Sequence, residues 1–385
     1  MNKLTYKILT IVLLIGLIAN AQSQKNYKKT FEVSKKTILN FDTDNIDVTF
    51  KIWNKDEVKI DFSLDFINYS TKEIEEISNK VEIQAAFAGT FGNKDWLEIR
   101  SVSNKSLARL SYEIKDGSFY ITNFSTNNGK EKTHKSVKEL IASLQKKETG
   151  FQDFDGYVVF KNDSIPVADL EKTNHKGVKS IRSNYVIYLP AYLALNVQSN
   201  RASVTFEGEL TSKIAGAFYD STLKAESLTN PGNAIKFLNG TVKIGAISQG
   251  MYSFRNVTNG MIGKISDANI TTEFSKFQIG EITKNSTFKD FKSDITIYNL
   301  NENFETIKMH GEYSDIKLFI DKNHKYYMEA IGHNAIMKDG DMKIGMQPNR
   351  EGKKHKMFTR GTKETASNTF MLDLVHGFIT LNYIN

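Results

Sequence analysis

Residues 203–247 read SVTFEGELTSKIAGAFYDSTLKAESLTNPGNAIKFLNGTVKIGAI, and within them the pairs Val204/Phe206, Leu223/Ala225 and Val242/Ile244 start 19 residues apart. Each pair is apolar, polar, apolar, the period of a strand with one buried face, and small or polar residues separate the pairs. The pattern continues at Phe277/Ile279, Ile295/Ile297 and Ile316/Leu318, with steps of 18 and then 21 residues and a weaker copy around Ile262. Between the pairs lies a second apolar set that includes Leu228, Ile247, Phe254, Val257, Ile270, Phe274, Phe288, Phe291, Ile307 and Met309, read as pointing inward too. Two short inward-facing strands per repeat make one coil of a β-solenoid, because one coil buries no face alone and a stack of coils does. The expected fold class is therefore all-β: β-solenoid repeats over 184–385, with an N-terminal β-hairpin region and two short helices before them.

The residues ahead of the pairs fit corners: Ala202-Ser203, Asp220-Ser221, Asn239-Gly240, Ser275-Lys276, Ser293-Asp294 and Ser314-Asp315. Such side chains bend the backbone and satisfy it locally. The glycine-aspartate nonapeptide of calcium β-rolls is missing, so no metal and no cofactor are expected.

Working toward the N-terminus, Asn45 to Phe66 alternates closely, with turn residues at Asn54 to Asp56, and predicts an antiparallel hairpin. Ser70 and Glu73 have capping-box spacing ahead of Ile74, Ile77 and Val81, which predicts a short helix over Ser70 to Glu82. Val81 to Phe87 and Trp96 to Val102 return to strand patterning. Leu107 to Phe124 predicts a hairpin about Asp116-Gly117. Ser136 and Glu139 repeat the capping box, and Val137, Leu140, Ile141 and Leu144 form one stripe of a helix over Ser136 to Lys147. That stripe either packs on its own domain or docks a partner. Phe151 to Arg182 predicts a hairpin around Asn162-Asp163 and a charged linker. The domains expected are 22–106 (β region with a helix), 107–183 (hairpin and helix insertion) and 184–385.

Residues 1–21 predict a cleavable signal peptide: Lys3 and Lys7, an apolar run from Ile8 to Ile18, then Ala19-Asn20-Ala21. The run is too short for the roughly 20 residues that span a bilayer, so no transmembrane segment is expected in the mature chain. Export to the periplasm or cell surface follows, and the absence of cysteine excludes a lipoprotein, disulfides, thiolate metal sites and cysteine nucleophiles. Cleavage reduces the formal charge of +7 by the two lysines, to +5. So small an excess argues against a nucleic-acid partner and directs attention to local clusters.

With the repeat and these flanking runs, the chain resembles the secreted putative-adhesin β-strand-repeat proteins of Bacteroidota. The residues that carry the resemblance are Phe31-Glu32-Val33, the run Ile46 to Phe66, Tyr185-Val186-Ile187-Tyr188-Leu189-Pro190 leading into Leu195-Asn196-Val197, and the repeats from Val204 to Leu318. The resemblance implies a repeat fold and an activity largely undefined. The insertion from about Leu107 to Arg182 and the basic stretch near the end depart from the plain repeat.

Motifs for chemistry are sparse. None of the seven histidines has zinc-protease spacing, and there is no G-x-S-x-G, Walker loop or G-x-G-x-x-G. His310, His324 and His333 lie close enough in sequence to converge in adjacent coils or to stand as separate surface histidines. Asp153/Asp155 and Asp339/Asp341 each place two carboxylates two apart, and Asp339-Gly340 reads better as a hairpin turn. The binding candidates are Arg350, Lys353, Lys354, Lys356 and Arg360, a basic loop within 348–363 suited to anionic envelope glycans or lipid headgroups. Phe370 to Leu374 and His376 to Ile384 read as a final coil, with the basic loop shielding that end. The expected function is non-enzymatic adhesion or binding of envelope polymers or a protein partner. The alternative is a polysaccharide-active β-helix enzyme, a lyase or glycosidase, which needs carboxylates converging in a groove.

Overall fold

The computed structural model describes residues 23–44, 47–67, 70–79, 83–88, 95–100, 109–115, 118–124, 158–159, 180–346 and 355–384. The expected signal peptide, the helix over Ser136 to Lys147, the Asn162-Asp163 turn and the Asp153/Asp155 pair lie outside them. In chain order the elements are β1 (Ser23–Glu32), β2 (Ile38–Asp44), β3 (Asp47–Trp53), β4 (Glu57–Ile67), α1 (Thr71–Ser78), β5 (Gln84–Ala88), β6 (Trp96–Arg100), β7 (Arg109–Lys115), β8 (Ser118–Phe124), β9 (Val158–Val159) and β10 (Ser180–Pro190). The repeats follow as β11 (Ala194–Asn200), β12 (Ser203–Leu210), β13 (Ile214–Leu228), β14 (Ala234–Ser248), β15 (Met251–Ser266), β16 (Ala268–Glu273), β17 (Lys276–Ile282), β18 (Ser286–Phe291) and β19 (Asp294–Ile297). Last come β20 (Thr306–Glu312), β21 (Asp315–Asp321), β22 (Tyr327–His333), β23 (Ala335–Asp339), β24 (Met342–Met346), β25 (His355–Arg360), β26 (Thr369–Val375) and β27 (Phe378–Ile384).

Two compact units divide these elements. One takes Asp61–Ile83 and Val102–Asn184 together with the N-terminal Met1–Lys28. Within it β7 and β8 pair antiparallel with Lys115 opposite Ser118, which leaves two residues for the connection, as Asp116-Gly117 predicts. β9 adds to β8 at Val159 opposite Thr122. The tyrosine hydroxyl of Tyr27 donates to the Ser78 carbonyl at 3.0 Å, tying the last turn of α1 to the start of the chain.

The second unit, Lys29–Ile60, Gln84–Ser101 and Tyr185–Asn385, holds the repeats. From β11 to β21 its strands pair in parallel, each with the strand one repeat later, while β5 pairs antiparallel with β6. Val204 faces Leu223, which faces Val242, and Phe206 faces Ala225, which faces Ile244. Beyond them Ile262 faces Ile279, then Ile297, then Leu318. The apolar pairs picked out by period are thus register partners, one above another at about 4.8 Å per step. Like stacks on like: Phe50 lies flat on Phe206 at 5.0 Å, and Phe254 meets Phe277 at 5.1 Å. The weaker copy at Gly260 has a steric cause, since a Cβ there would stand 2.3 Å from the Phe277 ring that fills its space.

β13, β14 and β15 are long because each bends once and continues. The bends fall at Asp220, Asn239 and Asn256, with φ of 48°, 64° and 54°. Short polar side chains tolerate that left-handed conformation. They also form a ladder, Asn239 Nδ2 donating to Asp220 Oδ1 at 2.8 Å and Asn256 Nδ2 to Asn239 Oδ1 at 3.0 Å. Behind the corner a buried hydroxyl column satisfies backbone donors: Val257 N to Ser275 Oγ and Ser275 N to Ser293 Oγ, both 3.0 Å.

Three readings of the sequence are corrected here. First, β3, read as one arm of a local antiparallel hairpin, also has a distant parallel partner, β12. Asn40 bonds Asn196 across 156 residues, so the repeat resumes where it left off after the whole insertion. Alternation reports a half-buried strand and is blind to the direction of its partner.

Second, the C-terminal strands do not end the stack. β26 lies between β20 and β22, parallel to both, and β27 lies between β21 and β23 in the same way. The end is formed by β25 on β22 and β24 on β23, both antiparallel. The β23–β24 turn contains Asp339-Gly340, with φ of 55° at the glycine, as predicted.

Third, the basic stretch is not a loop throughout. Lys356 and Arg360 lie on β25, paired to β22 at Ile331 and Met328, while Arg350, Lys353 and Lys354 lie outside the described residues. An added edge strand satisfies the open side of β22, which a loop would leave bare.

Candidate functional site

Of the five predicted binding cations, Arg360 is the one whose side chain is described, and the protein uses it internally. Its guanidinium donates to the Tyr383 hydroxyl, stands 3.8 Å from Asp339 Oδ1, and stacks on the Tyr383 and Tyr326 rings at 4.5 and 5.6 Å. The Tyr383 hydroxyl in turn donates to Asp339. Burial, and after it that hydrogen bond, pushes the Tyr383 phenol well above its ordinary pKa, so it stays a donor. This cluster joins β23, β25 and β27 and is a clamp on the end of the stack.

The three histidines occupy separate environments. His310 Nδ1 lies 3.0 Å from Asp373 Oδ2 and its Nε2 3.0 Å from Glu312 Oε1. His324 sits against Phe304 and Tyr326, with Nε2 2.9 Å from Asn368 Nδ2, and burial holds its pKa below the usual imidazole value. His333 meets His376 edge to face at 5.5 Å.

Register explains what surrounds His310. Lys289, His310, Asp373 and Ile331 are successive partners in one outward column, and Thr287, Lys308, Met371 and Glu329 form the next. They line a cleft of about 260 Å³. Its charged side chains are of both signs, Lys289 and Lys308 against Asp373 and Glu329, with the His310 ring among them. Such a set offers donors and acceptors to hydroxyl groups without a strong net field. Among the described residues no group of three or more His, Asp or Glu is placed to hold a metal ion. No helix there is long and apolar enough to cross a membrane.

Beside the cleft runs a ridge of rings that sequence reasoning placed wrongly. Phe274 and Phe291, read as core, face outward at 43% and 36% exposure, and Tyr313 is 54% exposed. Phe274 meets Phe291 at 5.3 Å, Phe291 meets Tyr313 at 5.9 Å, and Tyr313 stacks on His376 at 5.0 Å. Lys292 Nζ lies 5.8 Å above the Phe274 ring. The corner column runs from Arg201 through Asp220, Asn239 and Asn256, then through Phe274, Lys292, Tyr313 and His376, with φ between 48° and 57° in these four, to Asn334. Bulky side chains cost about 1–2 kcal/mol each in that conformation.

No family model matches the chain, and no curated protein matches it either. Among solved structures it is similar to a putative adhesin from Bacteroides fragilis, at 9% identity and a TM-score of 0.34 over 94% of this chain and 99% of that one. A putative adhesin from Parabacteroides distasonis gives the same identity and score over 94% and 97%. A putative lipid binding protein from Parabacteroides distasonis gives 11% and 0.30, again over 94% and 97%. Similarity at that level carries neither a fold nor a role to this chain, which rest on the register and side chains described above.

Proposed function

We propose that the chain is an exported β-solenoid that binds an extended glycan along its aromatic ridge and the adjoining cleft, without turning it over. Parallel self-pairing at near-constant steps, with corners repeated at each step, is the pairing that a solenoid produces. The observation that carries the binding reading is the change of residue type along one corner column. Asp220, Asn239 and Asn256 meet the left-handed backbone with side chains suited to it, whereas Phe274, Tyr313 and His376 meet the same backbone at a cost. Phe274 and Tyr313 keep 43% and 54% of their surface exposed there, so burial repays only part of that cost, and they present faces on which sugar rings stack. The cleft supplies hydrogen bonds to hydroxyls at the next columns.

Replacing Tyr313 by Asn is expected to separate binding from stability. The melting temperature holds or rises, since Asn suits the corner, while affinity falls about fivefold for about 1 kcal/mol of lost ring contact. Phe291→Ala added to it deepens the loss, by an amount that departs from the roughly 25-fold of two independent sites because the two rings touch. The measurement is calorimetric titration with soluble oligosaccharides of neutral hexoses, amino sugars and uronic acids, and with anionic vesicles. Equal affinity in wild type and double variant, or binding to vesicles alone, would sink the glycan reading. Release of reducing ends in the same mixtures would favour the enzyme. Geometry weighs against that outcome, because both nitrogens of His310 are engaged by carboxylates and Glu329 accepts from Tyr327 at 2.6 Å.

Export rests on the N-terminal pattern. Expressed with its own N-terminus in a bacterium, the mature protein is expected to begin at Gln22, and N-terminal sequencing that finds Met1 on the envelope fraction would refute cleavage.

A further inference from the structure

The last two strands of the chain are internal to the stack, and that arrangement has an intermolecular counterpart. β20–β21 and β22–β23 are consecutive in sequence yet one level apart in space, with β26 and β27 inserted between them. The inserted segment supplies Phe370, Leu372, Leu374, Ile379 and Leu381 to the core, each at most 2% exposed. It bonds both neighbours through its backbone: Tyr313 N donates to Val375 O at 2.8 Å and His376 N to His333 O at 2.9 Å. The level is completed by a segment that follows both of its walls in the sequence.

From this we infer that the C-terminal level exchanges between two copies of the chain, each filling the other's slot, to give a closed dimer. Everything inside the slot is recovered in the exchanged form, because the same residues meet the same walls. Only the connection from β25 to β26 has to change. That connection, Gly361 to Asn368, has mostly exposed residues, with Thr362 as the acceptor for the amides of Thr365 and Ala366 at 3.2 and 3.1 Å. A short exposed hinge leading to a self-complementary strand pair is the general condition for swapping. The balance between closed monomer and exchanged dimer is then set by concentration against the effective concentration of the tethered segment. The partner chemistry is specific: two parallel strands with the inward pattern Phe370, Leu372, Leu374, then Ile379, Leu381.

The absence of cysteine makes the test direct. Lys317 on β21 and Thr380 on β27 are Cα partners, the first exposed and the second half-buried, and neither lines the cleft. Neighbouring strands are about 4.8 Å apart, within the Cα range a disulfide spans. One batch of full chain carries Lys317→Cys and another Thr380→Cys. Unfolded together and refolded at high concentration under mild oxidation, the mixture is expected to give a covalent dimer that thiol reduction dissolves. Its fraction is expected to fall on refolding at tenfold lower concentration. Either single variant refolded alone gives little of it. The double variant in one chain reports that the geometry permits the bond, by closing it at monomer mass in dilute refolding. Closure in the double variant without a covalent dimer in the mixture would overturn the proposal. So would a dimer as abundant in the single-variant controls as in the mixture.

Discussion

A chain ending at Asn368 is expected to lose β22 to β25 while the repeats from β11 to β15 stay folded. Removing residues 369–385 takes out five side chains that are at most 2% exposed. At about 1.5–3 kcal/mol each the loss is roughly 7–15 kcal/mol, comparable with the whole stability of a typical domain. β22 and β23 then have no parallel partner, since their remaining pairings are to β25 and β24. The repeats further back contact only their neighbours and so are insulated from the damage. Hydrogen exchange read by mass spectrometry distinguishes the levels: peptides covering Tyr327 to Asp339 exchange freely, and those covering Ser203 to Ser248 remain protected. Retained protection over Tyr327 to Asp339 would mean that β22–β25 closes directly onto β20 and β21, and that the slot is not required.

The ordering of levels was invisible in the sequence for a reason the same residues illustrate. Ile316 and Leu318 face Ile379 and Leu381, and the inward side of β23 offers Met337 to Ile379 in turn. Each level presents the same apolar period, so hydrophobic patterning says that levels stack and leaves open which one sits on which. Where consecutive repeats do stack in order, from Val204 to Leu318, spacing predicts register partners residue by residue. The parallel partner of β3 was hidden in the same way, because β12 lies 156 residues away and nothing local encodes it.

The ridge was misread because of what a corner does to parity. Within a strand, inward positions recur every second residue, so Phe288 and Asp290 are buried and Phe291 faces out. At a left-handed residue the count restarts, and Phe274 and Tyr313 stand where parity carried over from the preceding strand no longer applies. Hydrophobicity alone then assigns an exposed phenylalanine to the core. Marking corner positions by the Asp220 and Asn239 ladder and stepping forward one repeat at a time finds the rings. Arg360 went astray differently: His355 to Arg360 has no alternation and follows glycine and proline, so composition suggested a loop while β22 needed an edge partner.

The strained corners of the ridge are held from inside by one carboxylate, and removing it is expected to have the largest effect of any single substitution. Asp290 is 4% exposed and accepts from the hydroxyls of Thr272 and Ser314 and from the amide of Ser293 at 3.3 Å. Ser293 follows Lys292 and Ser314 follows Tyr313, so two successive left-handed corners are tied to this buried acceptor. Asp290→Ala takes this acceptor from the Thr272 hydroxyl and the Ser293 amide where little water reaches, while the Ser314 hydroxyl keeps the Glu312 carbonyl at 3.1 Å, and a loss of about 3 kcal/mol is expected in denaturant unfolding. Asp290→Asn, which keeps one acceptor oxygen, is expected to lose less. Thr272→Val combined with Asp290→Leu removes a donor along with the acceptor and fills the space, and is expected to lie closer to wild type than Asp290→Ala. Because Asp290 is buried behind the ridge, weaker glycan binding in Asp290→Asn at a temperature where it is fully folded would show that ring placement, set by the buried hydrogen bonds, carries affinity. An Asp290→Ala protein within 0.5 kcal/mol of wild type would mean that the stacked rings hold the corners unaided, and the cost of their backbone conformation would then be met on the outside of the ridge alone.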